Sequence, residues 1–188
     1  MAKLASTLPN MVLSLSLIAM FMAGSLGFVY LKTKDPIAEA ERLKKEDAVK
    51  AVIPPFESTE SLRLPSEDGD SLTITIGMTG GQPVGYAVET WSDKGFSGMI
   101  RFVVGFLPDG RISGFGGFVH KETPGLGTKM SDPKFNEQFV NKDPATFTLK
   151  VRKDGGDVDA ITAATITSRA FCDGVEKAYS SYKKATEK

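Results

Sequence analysis

The pattern of apolar and polar positions divides the chain into an uncharged N-terminal run and a longer mixed segment. Residues 11–31 carry no charged side chain, and these 21 residues would form a helix of roughly 31 Å, enough to cross a bilayer. Tyr30 and Lys32 resemble interfacial anchors. A cleaved signal peptide is the alternative, but only Lys3 precedes the run, which is longer than a usual signal core. We therefore expect a tail over 1–10 and an uncleaved transmembrane helix over 11–31.

The charges beside this span leave its orientation open. Lys3 is the only basic residue before the span. The basic residues that follow closely are Lys32, Lys34, Arg42, Lys44 and Lys45. By the positive-inside rule these would keep the C-terminal domain in the cytoplasm, although long domains translocate largely regardless of charge.

A linker helix is predicted after the span, within residues 32–56. Asp35-Pro36 is typical of a helix start, because an N-cap residue precedes proline at the first helical position. Apolar residues recur at near-helical spacing over 37–53, and Pro54-Pro55 ends the run. The polar composition of 57–71 predicts a loop.

The remaining segment alternates between apolar and polar residues with the two-residue period of β-strands. Turn residues separate the runs at 79–82 and at Pro108-Asp109-Gly110. The predicted strands are 72–76, 84–91, 97–106, 111–119 and 146–151. A short helix over 133–140 and an amphipathic helix over 168–184 complete the pattern. We therefore expect an α+β domain over 57–188, with a mainly antiparallel sheet and flanking helices.

Composition limits the chemistry that this domain can perform. The 188 residues suffice for one compact domain plus an appendage, and 23 basic residues balance 23 acidic ones, which argues against nucleic acid as a partner. The single cysteine, Cys172, excludes an internal disulfide and is interpreted as a small buried apolar residue. With one histidine, His120, no multi-histidine metal site can form. Any redox chemistry would therefore use an organic cofactor.

A threonine-rich segment precedes the last predicted helix. Residues 159–168 read Asp-Ala-Ile-Thr-Ala-Ala-Thr-Ile-Thr-Ser, and Thr165 lies where the helix should begin. A helix N-terminus favours phosphate through its unpaired N–H groups and partial positive charge. Ala163 and Ala164 leave room for a bulky ligand, and the hydroxyls of Thr167 and the next serine are suited to capping the helix or binding phosphate. An ordinary helix cap is the alternative.

Two further segments are rich in glycine and in turn residues. Residues 120–127 read His-Lys-Glu-Thr-Pro-Gly-Leu-Gly, and glycines are frequent between 95 and 117. Glycine in strands marks bulges or the close approach of another group, such as a flat ring system. Together with Gly95-Phe96-Ser97-Gly98 and residues 106–112, these segments resemble the FMN-binding domain family. The order and spacing of the motifs agree with that family over about residues 72–180.

The resemblance implies a role for each matching residue. It implies that a flavin transferase, which recognises Asp159 and Thr162, joins FMN to the Thr165 hydroxyl as a phosphoester. It implies no catalytic residue and no metal. The other residues implied to contact FMN are Ala164, Thr167, His120, Glu122, Thr123, Leu126 and Gly127. For His120 a purely structural role is an equal alternative. Ala163 departs from the family, which usually has glycine there, and alanine restricts positive φ.

The resemblance also implies a membrane-anchored electron carrier. Within the family the chain is most similar to a single-span component of Rnf-type complexes, the ion-translocating ferredoxin:NAD oxidoreductases. The implied partners are the other membrane subunits of such a complex, the flavin transferase during maturation and the lipid bilayer. The implied location is the inner (plasma) membrane, with the FMN domain on its extracytoplasmic side. The alternatives are a standalone flavinylated redox protein, the C subunit of a Na-translocating NADH:quinone reductase, and a non-redox binding domain.

Overall fold

The computed structural model describes residues 7–65 and 71–187, and its first element is one long helix, α1 (Leu8–Val52). By length and composition α1 could cross a membrane, and its most apolar window is not buried in the structure. The predicted helix start at Asp35-Pro36 is wrong, because Pro36 lies inside α1. Proline removes one helical hydrogen bond, but helix-forming residues on both sides continue the helix. The chain divides into two compact units between Leu43 and Lys44.

The second unit is built on a five-stranded antiparallel sheet. Its strands are β1 (Ser58–Pro65), β2 (Ser71–Thr79), β3 (Gln82–Ser92), β4 (Ile100–Phe106) and β5 (Ile112–Val119). They lie side by side in chain order, so each strand pairs with the next. Four predicted strands are confirmed, although β4 begins three residues later than expected. The α+β fold class is confirmed as well.

Two predictions about irregular segments are wrong. Most of the predicted loop over 57–71 forms β1. Leu62 and Leu64 alternate with polar residues there, and both pair with residues of β2. Residues 66–70 of the predicted loop lie outside the described part. The predicted strand over 146–151 does not form. Asp143 closes a turn there by accepting the Ala145 N–H at 2.8 Å. Within the described ranges, Val151 makes only an isolated bridge at this place.

One face of the sheet is covered by the last helix, α3 (Thr165–Thr186). The core between them is rich in phenylalanine and centres on Phe171, whose ring lies 4.6 Å from Phe102 and 5.2 Å from Phe139 between centroids. Phe139 follows α2 (Pro133–Asn136), which is shorter than the predicted 133–140 helix. Phe135 and Phe139 are both buried in this core. Cys172 is buried as predicted, and its burial raises the pKa of the thiol to about 12.

The end of α1 packs on the opposite face of the sheet. It lies in a groove, here called the glycine furrow, that is formed by Gly105, Gly116 and Gly117. Ala48 and Val52 are buried there in a second, smaller apolar cluster. The Ser113 hydroxyl donates to the Val52 carbonyl oxygen, and a side chain at Gly105 would collide with that same oxygen. The furrow exists because glycine leaves the sheet surface open to close backbone approach.

Candidate functional site

The N-terminus of α3 presents a threonine at an uncapped helix end. Thr165 is the first helical residue, as predicted, and no side chain caps the helix at Ala164. The first turn contains no acidic residue, so nothing there offsets the positive end of the helix dipole. Thr165 is half-buried, and its hydroxyl has no hydrogen-bond partner among residues 7–65 and 71–187.

A cavity of about 330 Å³ lies beside this helix end. It joins the two motifs that the sequence singled out, since segments 122–127 and 163–167 both contribute to its wall. Seven predicted cofactor-binding residues line it: Glu122, Thr123, Leu126, Gly127, Ala164, Thr165 and Thr167. The other lining residues are Phe96, Ala163 and Ile166.

Glu122 is a buried carboxylate that links three segments of the chain. Only 5% of the residue is exposed. Its Oε1 accepts the Ser97 N–H at 3.0 Å, and its Oε2 accepts the Thr167 hydroxyl at 2.8 Å. Burying a charge is unfavourable unless hydrogen bonds compensate for the lost water, and these two bonds do so. Glu122 therefore ties the 95–98 loop to the start of α3 across the cavity.

The two hydroxyls that follow Thr165 point inward. Thr167 is buried and donates to Glu122, so it belongs to the cavity wall with its hydroxyl already engaged. Ser168 accepts the Ile161 N–H at 2.9 Å and donates to the Ala164 carbonyl at 3.0 Å. These bonds fasten residues 161–164 to the first turn of α3 and leave the Thr165 hydroxyl unengaged at the cavity.

Three predicted site residues do not line the cavity. The Asp159 carboxylate forms an exposed ion pair with Arg152 at 2.8 Å, and Thr162 is exposed on the loop before Ala163. His120 is partly buried, and its Nδ1 accepts the Glu122 backbone N–H at 3.3 Å. The histidine thus supports the backbone of the cavity-lining segment from outside the cavity.

Ala163 adopts the backbone conformation that favours glycine. Its φ is +61°, in the left-handed region, and it immediately precedes the N-cap of α3. This conformation costs an L-residue roughly 1–2 kcal/mol because Cβ crowds the backbone carbonyl. The loop therefore keeps the shape expected of a glycine although the chain carries alanine.

Gly127 is required by close packing. A Cβ at this position would lie 2.8 Å from Glu122 Cβ and 2.9 Å from Thr167 Oγ1. Both distances are shorter than Cβ contacts in real structures allow. The bare backbone at 127 thus lets the carboxylate and the threonine meet.

Phe96 and Ile166 were not among the residues predicted to bind a ligand. Phe96 lies in the loop before β4 and is 67% exposed, while Ile166 lies on the outer side of α3. The sequence held an indication for each residue. Phe96 is an aromatic residue between two glycines, and Ile166 does not fall on the apolar face of its helix. Exposed aromatic and aliphatic side chains at a cavity mouth are typical of binding sites.

An ion pair fixes the turn that leads into this site. The Arg169 guanidinium on α3 donates two hydrogen bonds to the Asp154 carboxylate, from Nε to Oδ2 at 2.7 Å and from Nη2 to Oδ1 at 2.8 Å. The guanidinium hydrogen bonds hold the pKa of the Asp154 carboxyl below its usual range. The pair is exposed, so its effect is on local geometry more than on overall stability.

Comparisons with known proteins assign the class of this domain. A family model described as the FMN-binding domain matches residues 95–180, which include the 122–127 segment, the 159–168 segment and most of α3. The chain therefore contains an FMN-binding domain.

Relatives described as the G subunit of an ion-translocating oxidoreductase complex match nearly the whole chain. The protein of Shewanella amazonensis is 33% identical over 180 residues, covering 88% of this chain and 83% of its own. That of Methanosarcina acetivorans is 32% identical over 174 residues, covering 90% and 91%. That of Vibrio cholerae is 33% identical over 181 residues, covering 88% and 86%. The chain belongs to this family, the G subunits of ion-translocating oxidoreductase complexes.

The cavity has features that fit FMN. Its volume lies at the lower end of the range for small-molecule pockets, and its mouth is open to solvent. The uncapped end of α3 is suited to a phosphate group. The apolar side chains of Phe96, Leu126 and Ile166 are suited to an aromatic ring system.

Proposed function

We propose that this protein is the electron-carrying, membrane-anchored component of an Rnf-type ion-translocating ferredoxin:NAD oxidoreductase, with FMN joined through its phosphate to Thr165. The observation that carries the proposal is the Thr165 hydroxyl, which has no hydrogen-bond partner among the described residues and lies at an uncapped helix N-terminus. It opens on the same cavity as residues 122–127. Membership in the G-subunit family supports the setting, and the FMN-binding domain supports the cofactor.

The bound FMN would supply reversible electron transfer. The residues of the chain would supply attachment, orientation and a defined electrostatic environment. The N–H groups at the start of α3 would hold the phosphate, and the Thr165 oxygen would fix it covalently. Glu122 and Thr167 would form the inner wall through their mutual hydrogen bond. The segment 123–127 would line the opposite side, with Gly127 permitting its close approach to Glu122.

The exposed residues of the acceptor motif suit recognition by a maturation enzyme. Asp159 and Thr162 are accessible on the surface, while the loop that carries them is held from inside by Ser168. A flavin transferase would recognise these two side chains and transfer FMN from a flavin dinucleotide such as FAD. The Thr165 oxygen would bond to the flavin-side phosphorus, the phosphoanhydride bond would break, and AMP would leave with the hydroxyl proton. Their absence from the cavity wall agrees with a role in attachment that is separate from holding the bound ring.

The uncharged N-terminal run and the family support a place for the protein in a membrane complex. We propose that residues 11–31 of α1 span the inner membrane once and that the FMN domain lies on its extracytoplasmic side. The span contains no charged side chain, so it offers no ion path, and ion movement would belong to other membrane subunits. A C-terminal alkaline phosphatase fusion, which is active only outside the cytoplasm, tests this topology; an inactive fusion would place the domain inside.

The covalent attachment is tested by expressing the full chain together with a flavin transferase. After denaturation, intact mass and in-gel fluorescence should show one FMN per chain. Thr165→Ala should abolish both, and Thr165→Ser, which keeps a hydroxyl, should retain some flavin. Full flavin content in Thr165→Ala would refute the assignment of the acceptor. Flavinylated protein that never co-purifies with multi-span subunits when expressed from its native source would favour a standalone redox protein.

A further inference from the structure

The mouth of the cavity is surrounded by three exposed apolar side chains from three separate segments. Phe96 comes from the loop before β4, Leu126 from the 122–127 segment and Ile166 from the first turn of α3. They are 67%, 39% and 47% exposed, respectively. A single exposed apolar residue is ordinary on a protein surface, but convergence of three around one opening indicates a ligand with an apolar face.

Phe96 is held at this mouth by the backbone around it. The Ser97 N–H donates to the buried Glu122 carboxylate, and the Gly98 N–H donates to the Gly95 carbonyl. A Cβ at Gly95 would lie 2.8 Å from Glu122 Oε1, so the loop fits closely against that carboxylate. The aromatic ring is therefore displayed by a loop that the interior of the site positions.

The Phe96 ring has no aromatic neighbour within the described residues, although five other phenylalanines of this domain pack around Phe171, namely Phe102, Phe115, Phe118, Phe135 and Phe139. An exposed ring fixed by a tight loop leaves a large apolar face available for stacking. Flat conjugated ring systems stack on aromatic side chains in preference to remaining in water, as bases do on protein aromatics.

We propose that Phe96 is a contact residue for the isoalloxazine ring, covering one face of it at the cavity mouth, and that Glu122 positions Phe96 for this contact. The inference rests on the proposed function and adds a contact that the acceptor motif and the 122–127 segment do not supply. Leu126 and Ile166 would border the ring at its edges. A phenylalanine here shields the flavin from water on a side that the small cavity alone leaves open.

The test uses the full chain flavinylated by a flavin transferase, with Phe96→Ala and Phe96→Tyr as variants. Val119→Ala and Val119→Tyr are the matched controls, because Val119 is 64% exposed and does not line the cavity. Flavin content is first measured in denatured protein. Native fluorescence and its collisional quenching by iodide are then measured at equal flavin content.

Phe96→Ala should increase the iodide quenching constant several-fold, because the ring face becomes open to solvent. Phe96→Tyr should strongly lower native flavin fluorescence, since a phenol in contact with the photoexcited flavin donates an electron and takes it back. The Val119 variants should match the wild type in both readouts. Flavin attached to every variant with unchanged fluorescence and quenching would overturn this inference alone, and would leave Phe96 as a residue for docking a partner. Wild-type protein without attached flavin would instead refute the proposed function, and this inference with it.

Discussion

The Thr167 hydroxyl donates a 2.8 Å hydrogen bond to Glu122 Oε2, and both residues are buried. This bond joins two segments that lie 45 positions apart in the sequence. Because the second carboxylate oxygen accepts the Ser97 N–H, a single side chain holds the cavity together from within.

Replacing this carboxylate should weaken the domain strongly. Glu122→Ala leaves the Ser97 N–H and the Thr167 hydroxyl without their acceptor, and an unpaired buried donor such as the Thr167 hydroxyl costs about 1–3 kcal/mol. We expect the free energy of unfolding to fall by about 1–3 kcal/mol, measured by urea denaturation of the full chain in detergent. Glu60→Ala, at an exposed glutamate of β1, is the control and should change it by less than about 0.5 kcal/mol. An equal effect of the two substitutions would contradict the linking role of Glu122.

Glycine at position 163 should stabilise the protein. Ala163 has a φ of +61°, so Ala163→Gly relieves backbone strain that exceeds the extra chain entropy of glycine. We expect a gain of about 0.5–1 kcal/mol in the free energy of unfolding, with flavin attachment retained. Ala145→Gly, in an exposed turn without positive φ, should cause a small loss instead. A loss at both positions would show that Ala163 is not strained.

The glycine furrow should not tolerate a methyl group at its tightest point. In Gly105→Ala the new Cβ would collide with the Val52 carbonyl oxygen and would also clash with the Ser113 hydroxyl oxygen. Since overpacking costs typically 1–3 kcal/mol and this contact is with backbone, we expect a loss of about 3 kcal/mol. Gly114→Ala is the matched control, because Gly114 pairs with Gly105 in the sheet and its Cβ would lie 3.9 Å from Val52 Cα. Thermal unfolding followed by circular dichroism distinguishes them, and equal midpoints would refute the furrow contact.

The Asp173 carboxyl should contribute to stability at neutral pH and lose that contribution in acid. Its partial burial acts to raise the pKa, but hydrogen bonds from Lys94 and Ser92 and the charge of Lys177 outweigh burial and lower the pKa below 3.8. A carboxyl with a lowered folded-state pKa stabilises fully above the unfolded value and loses this as the pH falls through the folded value. Asp173→Asn should therefore reduce the loss of stability between about pH 5 and about pH 2. An unchanged acid dependence of the urea midpoint would show that the carboxyl is not the source.

Local patterns predicted those parts of the fold that repeat over several residues. The two-residue alternation revealed β2 to β5, and helical spacing revealed α3, although α3 begins at Thr165, before the predicted 168. β1 was missed because its apolar signal consists of Leu62 and Leu64 alone, and pairing with β2 supplies the rest. The predicted helix boundary at Pro36 was wrong, because one proline weakens a helix but does not end it between strong helix-forming segments.

The family was predictable through resemblance, but the internal geometry of the cavity was not. The family and the FMN-binding domain are confirmed by the relatives and by the match over 95–180. No periodic pattern connects Glu122 with Thr167, because they lie 45 positions apart and meet only in the folded domain. Phe96 was absent from the predicted contacts because its role depends on where the 95–98 loop points.

The central position of Phe171 in the core affects the order in which folding and flavin attachment can occur. Phe171 lies on the same helix as Thr165, and its ring packs against Phe102 of β4 and against Phe135 and Phe139 near α2. Helix α3 can dock only once those distant segments have assembled. Under the proposed attachment of FMN to Thr165, attachment would therefore be a late event that discriminates against unfolded chains, and the flavin content of a preparation would report the fraction of molecules that had folded first.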